Sequence, residues 1–326
     1  MVIDEKKNMI DKRTKIFLDY YFGSEKTKVS QNIIDGAQKN RVLYDFSKKY
    51  ELEEINDLGE EWILKLSNTL KIINKTLDKK LFYLVTRTYK YVEYITFDVD
   101  LYVKSSDFEK TIEIFKKNDF KSFSHDNSLG GRIINYQKNL IKDNLLTIDL
   151  HKNFTWQKRF FFDIELIHQN IRIREIAGVK VAIPSAEIEF MLCMADISHE
   201  RFNITLLDII WLMNLSKEIT GWNGMYSQAK KHGWEKTYIH LSKIINAFTE
   251  EVYGKKIIPG MESVKSNYSL PYFLPLRLCY KSYWENFIHT KNFPLTSFAY
   301  MHYCKIRYYL SNKKKMPYYD NWYNKG

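Results

Sequence analysis

Asp98 and Asp100 stand at i and i+2 in the run Ile95-Thr96-Phe97-Asp98-Val99-Asp100-Leu101-Tyr102-Val103. In a strand, side chains alternate between faces, so the two carboxylates project from one side while Phe97, Val99 and Leu101 pack on the other. Two acids so placed make half of a magnesium site. That ion takes oxygen ligands at near-octahedral positions, commonly one or two protein carboxylates plus substrate phosphates. By itself an Asp-x-Asp pair describes two solvent-facing acids on an amphipathic strand equally well. A second apolar run, Leu145-Leu146-Thr147-Ile148-Asp149-Leu150-His151, sets Asp149 among residues of buried type, where a carboxylate is costly without a partner. A metal shared with Asp98 and Asp100 is one such partner. Three acids on adjacent strands can bridge two ions about 3.5 to 4 Å apart, one activating an attacking hydroxyl and one neutralising a leaving pyrophosphate. Alternation also puts His151 on the Asp149 face. Because imidazole suits softer metals, its expected role is to orient a carboxylate rather than to ligate magnesium.

These residues need a sheet and something to back it. Residues 4 to 80 carry apolar residues at three- and four-residue spacing, among them Phe17, Tyr20 and Tyr21, Leu43, Phe46 and Tyr50, then Trp62, Leu66, Leu70, Ile73 and Leu77. The pattern predicts a helical N-terminal segment over 1–80. Short β-branched and aromatic runs follow at 81–89 and 95–103, a helix over 106–118, and strands at 120–124, 133–137 and 145–151, with Gly130 and Gly131 turning between two of them. A short helix at 164–168 and two strands, 171–176 and 179–183, complete an α/β core over 81–184. Pro184 and Ser185 open an apolar helix over 186–198, and another spans 205–215. The rest of 185–326 reads as a helical C-terminal domain with long connections and a basic aromatic tail. The fold class expected is α+β: a small mixed or antiparallel sheet flanked by helices.

Composition bounds the rest. With 326 residues, 45% of them hydrophobic, the chain can bury a real core, which excludes disorder of the whole chain. Fifty Lys and Arg against 39 Asp and Glu give a net charge of +11, which favours an anionic partner; A+T-rich coding, visible in the wealth of Lys, Asn, Ile and Tyr, produces the same excess. Three cysteines are too few and too scattered for a disulfide framework or a zinc cluster. The charged stretch from Met1 to Arg13 does not read as a signal peptide, and no apolar run approaches the roughly 18 residues of a membrane span, so a soluble cytoplasmic protein is expected.

The order of helix, strand, Asp98-x-Asp100 strand, helix and Ile148-Asp149-Leu150-His151 strand resembles the nucleotidyltransferase fold of the DNA polymerase β superfamily. More narrowly, it resembles a group of uncharacterised nucleotidyltransferases in which an Asp-hydrophobic-Asp strand precedes an Asp-Leu-His strand. The resemblance covers about residues 30 to 215, with the helix from Ser185 to Asp196, His199 at its end, and Asp208 in Ile204-Thr205-Leu206-Leu207-Asp208 matching further positions. It implies transfer of a nucleoside monophosphate from an NTP to an acceptor with loss of pyrophosphate. Asp98, Asp100 and Asp149 would be the catalytic residues and hold Mg2+ (or Mn2+), Asp149 also helping to deprotonate the acceptor hydroxyl. His151, His199 and Asp208 would support the site.

One departure matters. The superfamily carries a Gly-Ser pair about ten residues before its first Asp, where backbone N–H groups and the hydroxyl hold the triphosphate. Here Thr86-Arg87-Thr88 stands in that place, so Thr86, Arg87, Thr88 and Lys90 are the expected nucleotide-binding residues, Arg being suited to bidentate phosphate contacts. The same departure admits a catalytically weak or inactive nucleotide- or RNA-binding protein on this fold. An Asp-x-Asp glycosyltransferase motif or a metal nuclease built on Asp149-Leu150-His151-Lys152 accounts less well for the spacing of all three acids. Arg132, Lys138, Lys142, Lys152, Lys158 and Arg159 could attract a nucleotide or RNA, with solvated loop charge the plainer explanation. The aromatic residues of the C-terminal half read mainly as core. The acceptor, a small molecule, a protein or a tRNA, is not specified by any motif.

Overall fold

Val99, Leu101 and Val103 alternate with Asp98, Asp100 and Tyr102 along β2 (Asp98–Val103), and all three apolar residues are buried. That alternation gives the sheet one greasy face and one chemically active face. In this computed structural model, which describes residues 11–23, 29–77, 80–122, 137–156, 159–201, 203–263 and 269–274, the sheet has five strands. They are β1 (Tyr83–Thr86), β2, β3 (Lys121–Ser122), β4 (Gln137–Ile141) and β5 (Thr147–His151), in the spatial order β1-β2-β5-β4-β3. β2 and β5 run parallel, and the other neighbours are antiparallel. A parallel neighbour needs a crossover. It begins with a short 3-10 turn, Ser105–Asp107, and α5 (Phe108–Lys116), which buries Phe108, Ile112 and Phe115 against the greasy face.

The N-terminal segment is helical as expected: α1 (Lys12–Phe22), α2 (Gln31–Lys39), α3 (Leu43–Tyr50) and α4 (Glu53–Leu77). α4 places Leu66, Leu70, Ile73 and Leu77 in one stripe that packs with α5 over Val99, Leu101, Ile148 and Leu150. Each such side chain contributes about 1.5 to 3 kcal/mol through burial. Gly59 lies where α4 crosses the buried ring of Tyr44 in α3, and a Cβ there would overlap ring atoms. Gly59→Ala should therefore destabilise the protein by about 1 to 3 kcal/mol, despite alanine's better helix propensity, as read by urea denaturation. An unchanged or raised midpoint would show that the ring has room to turn.

Beyond the sheet come two small hairpins, β6 (Thr155–Trp156) with β7 (Arg159–Phe160), and β8 (Arg172–Ile176) with β9 (Val179–Ile183). A 3-10 helix, Ile164–His168, stands between them. Then follow α6 (Ala186–Ala195), a π-helical turn (Asp196–Arg201), β10 (Asn203–Ile204), α7 (Leu206–Ser216), α8 (Trp222–Lys231) and α9 (Glu235–Tyr253), with β11 (Tyr272–Phe273) pairing β10. α6 and α7 are apolar nearly all round and sit in the larger core with Leu84 and Tyr102 from the active face of the sheet. Buried Asn40 ties α2 to α7: its side-chain oxygen accepts from Leu206 N–H at 3.1 Å and its carbonyl from Leu207 N–H at 3.3 Å.

The architecture is the expected α+β one, but several boundaries differ for local reasons. β1 stops at Thr86 because Arg87 adopts a left-handed conformation, φ 56, which no ladder continues. β2 starts only at Asp98, since the Thr96 hydroxyl donates to Asp98 O at 3.0 Å and holds the preceding turn. The helix expected to reach residue 198 ends as an α-helix at Ala195 and widens into the π turn. There the Ser198 hydroxyl donates back to Met194 O at 2.9 Å. Gly130, Gly131, Arg132, Lys158 and the aromatic residues beyond Leu274 lie outside the described residues. Among the described residues no helix is long and apolar enough to cross a membrane.

Candidate active site

Parallel pairing puts Asp100 directly beside Asp149 and Tyr102 beside His151. Side chains in register on neighbouring strands share a face, so both acids and the imidazole point the same way. One ligand atom from each of Asp100, Asp149 and His151 lies within 4.8 Å of the others. Asp98 is on the same face of β2 but next to Thr147, outside that group, where the Thr96 hydroxyl reaches its carboxylate at 3.4 Å. The expected set of three aspartates is thus arranged as a close pair, Asp100 and Asp149, with a histidine as third member and Asp98 at the margin.

The close pair is held by polar neighbours. Asp100 Oδ1 accepts from Arg87 Nη2 at 2.5 Å and pairs with His151 Nε2 at 2.9 Å, which makes Nε2 the protonated nitrogen of that ring. Gln137 Nε2 donates to Asp149 Oδ2 at 3.2 Å from the adjacent strand β4, and Phe154 stacks on the His151 ring. Burial raises the carboxyl of Asp98 to about 6, helped by the negative charge of Asp100. Burial pushes Asp100 the same way, yet Arg87 and His151 outweigh it and hold that carboxyl well below the usual range. Two neighbouring acids are therefore set apart, one fully ionised and one close to titration.

The expected nucleotide-binding residues do not form one cluster. Arg87 is in the site. Thr86 is fully buried on β1 opposite Asp100, and Thr88 is buried with its hydroxyl donating to Thr86 O at 3.0 Å. Lys90, also buried, lies over the ring of Trp211 in α7, and burial there lowers its ammonium to about 7. Of the supporting residues, His151 is at the centre. Asp208 belongs to a different construction: it is 1% exposed, takes both ends of the Arg201 guanidinium at 2.9 and 3.0 Å, and completes a capping box with Thr205 at the start of α7. His199 lies in the π turn, and its side chain is outside the described residues.

Three residues of the site were not foreseen. Glu189, on α6 and buried, accepts the Arg87 backbone N–H with both oxygens, at 3.1 and 3.2 Å, and burial raises its carboxyl to about 7. Asp196 lies 3.9 Å from Arg87 Nη1 and accepts Arg201 Nε at 2.5 Å. Arg201 thus bridges Asp196 and Asp208, and Asp196 links that pair to Arg87. Glu189, the single glutamate in the otherwise apolar run 188–195, was the readable signal, since such a residue is almost never buried without a partner.

Residues 96–250 match the family described as uncharacterised nucleotidyltransferase. The resemblance carried by Asp98-x-Asp100 and Asp149-Leu150-His151 is borne out over that segment, while Thr86, Arg87, Thr88 and Lys90 precede it. Among solved structures, a lincosamide antibiotic adenylyltransferase with lincomycin bound aligns over 47% of this chain and 97% of its own, at 13% identity and a TM-score of 0.33. No curated protein sequence matches this chain.

Proposed function

We propose that the chain is a metal-dependent nucleotidyltransferase that moves a nucleoside monophosphate from an NTP to an acceptor hydroxyl and releases pyrophosphate. The observation that carries the reading is the in-register Asp100 and Asp149 pair with His151 beside it. The donor chemistry fits a divalent cation, since two carboxylates side by side suit Mg2+ or Mn2+. Asp100 and Asp149 would hold such a cation, with Asp98 on the same face of β2, and it would supply charge neutralisation for the triphosphate and make the attacking hydroxyl more acidic. Asp149 takes the proton of the acceptor hydroxyl as its oxygen bonds to the α-phosphorus and the bond to the pyrophosphate oxygen breaks. His151 fixes Asp100 through the Nε2 bond, and Arg87 supplies positive charge to the triphosphate.

The test is incubation with labelled NTPs, Mg2+ or Mn2+ and a cell extract. Wild type should label an acceptor and Asp100→Ala should not; equal labelling by both would end this reading. One observation favours the alternative of a weak or inactive nucleotide-binding protein. The Arg87 N–H, at the place where a Gly-Ser cradle would offer its amides to phosphate, is already taken by the Glu189 carboxylate. That reading predicts thermal stabilisation by NTP without pyrophosphate release.

A further inference from the structure

Arg87 is placed where two cations compete. Its Nη2 lies 2.5 Å from Asp100 Oδ1 and 3.5 Å from His151 Nε2, so the guanidinium edge stands against two of the three groups that could hold a metal. A divalent ion about 2.0 to 2.6 Å from that oxygen would bring two further positive charges against the guanidinium already holding it, and the two repel. The backbone of Arg87 has little freedom to resolve the conflict, being left-handed and tied to Glu189 through its N–H. The side chain does have another anion within reach: Asp196, 3.9 Å from Nη1.

We infer that Arg87 is a built-in competitor for cation binding at Asp100. Resting on the nucleotidyltransferase reading, the inference is that cation loading displaces the guanidinium from Asp100, and that the triphosphate of an incoming nucleotide is the anion it turns to. The exchange conserves ion pairs: Asp100 trades Arg87 for the cation, and Arg87 trades Asp100 for phosphate. Cation and nucleotide then each bind better in the presence of the other, because one displacement serves both. Asp196 shares the guanidinium and weakens its hold on Asp100.

Mn2+ alone, titrated into the full chain by calorimetry, tests this. Arg87→Gln should bind Mn2+ about tenfold more tightly than wild type, the worth of one charge-assisted hydrogen bond that no longer has to be broken. Asp196→Asn should shift the affinity the other way, weakening it about threefold as Arg87 settles on Asp100. A merely structural role for either residue would not move the two variants in opposite directions, and the second keeps the test open should the first fail to fold. Asp100→Asn should abolish binding in every background. Affinity unchanged or weakened by Arg87→Gln, with binding still dependent on Asp100, would overturn the competition and leave the proposed activity standing. Affinity unchanged or tightened by Asp196→Asn, with binding still Asp100-dependent, would overturn it likewise. Binding indifferent to Asp100→Asn, or no binding by wild type and Arg87→Gln alike, would overturn the metal site itself.

Discussion

Asp149→Asn should lower the rate of nucleotidyl transfer about a thousandfold or more while leaving the protein as stable as wild type or slightly more so. The substitution keeps the shape of the side chain and an oxygen for Gln137 Nε2, which donates to Asp149 Oδ2 at 3.2 Å. It removes a charge that lies directly across from Asp100 on the neighbouring strand, a like-charge pairing that costs energy in any sheet. On the proposed mechanism that charge is needed in the transition state, to hold the cation and to take the acceptor's proton, so the loss should fall on kcat. Turnover with a defined acceptor, followed by pyrophosphate release and paired with urea denaturation, separates the two effects. Activity within tenfold of wild type would remove Asp149 from the machinery.

Arg201→Met should destabilise the fold by about 3 to 5 kcal/mol, the usual consequence of leaving a buried charge without its partner. Asp208 is 1% exposed and takes a bidentate guanidinium, so its buried charge loses both of those bonds when Arg201 goes. Adding Asp208→Asn to Arg201→Met should recover part of the loss, because the stranded charge is then gone while the amide oxygen still caps α7. Acid sensitivity follows from the same pair. Burial alone would raise the Asp208 carboxyl, but Arg201 prevails and lowers it to about 2. A carboxyl depressed on folding contributes stability that is complete above its ordinary value near 4 and is lost as pH falls towards about 2. Urea midpoints followed through that window should fall more steeply for wild type than for Asp208→Asn. Parallel curves would mean that the pair does not titrate as a unit.

Much of this site can be read without coordinates. Period-two alternation places Asp98 and Asp100 on one face and Asp149 and His151 on another strand's face, and the apolar residues between them require a core behind both. The readable pattern ends where long-range contacts decide. Alternation treats Asp98 and Asp100 as equivalent, and only the register against β5 puts Asp100 opposite Asp149 and leaves Asp98 beside Thr147. Thr86, Arg87, Thr88 and Lys90 look like one basic segment in the sequence. The left-handed turn at Arg87 sends them apart, Arg87 to the acids and Lys90 to Trp211. Helical periodicity carries the helix from 186 through the π turn, because hydropathy does not register the hydroxyl of Ser198 bonding back to Met194. Asp208, three residues after Thr205, was legible as the fourth position of a capping box; its ion pair with Arg201 was not, since a turn of π-helix brings that guanidinium over.

The parallel pairing of β2 with β5 has a consequence for how the protein acquires its chemistry. A hairpin can zip up locally as soon as its turn forms, but strands joined by a crossover meet only after the connecting chain has closed and packed. Asp100 and Asp149 lie on either side of that closure. No fragment ending before β5 contains the pair, so the mutual repulsion of the two acids arises only when β5 docks beside β2. The docking of β5 that brings the two acids together is the same docking that buries Ile148 and Leu150 in the core.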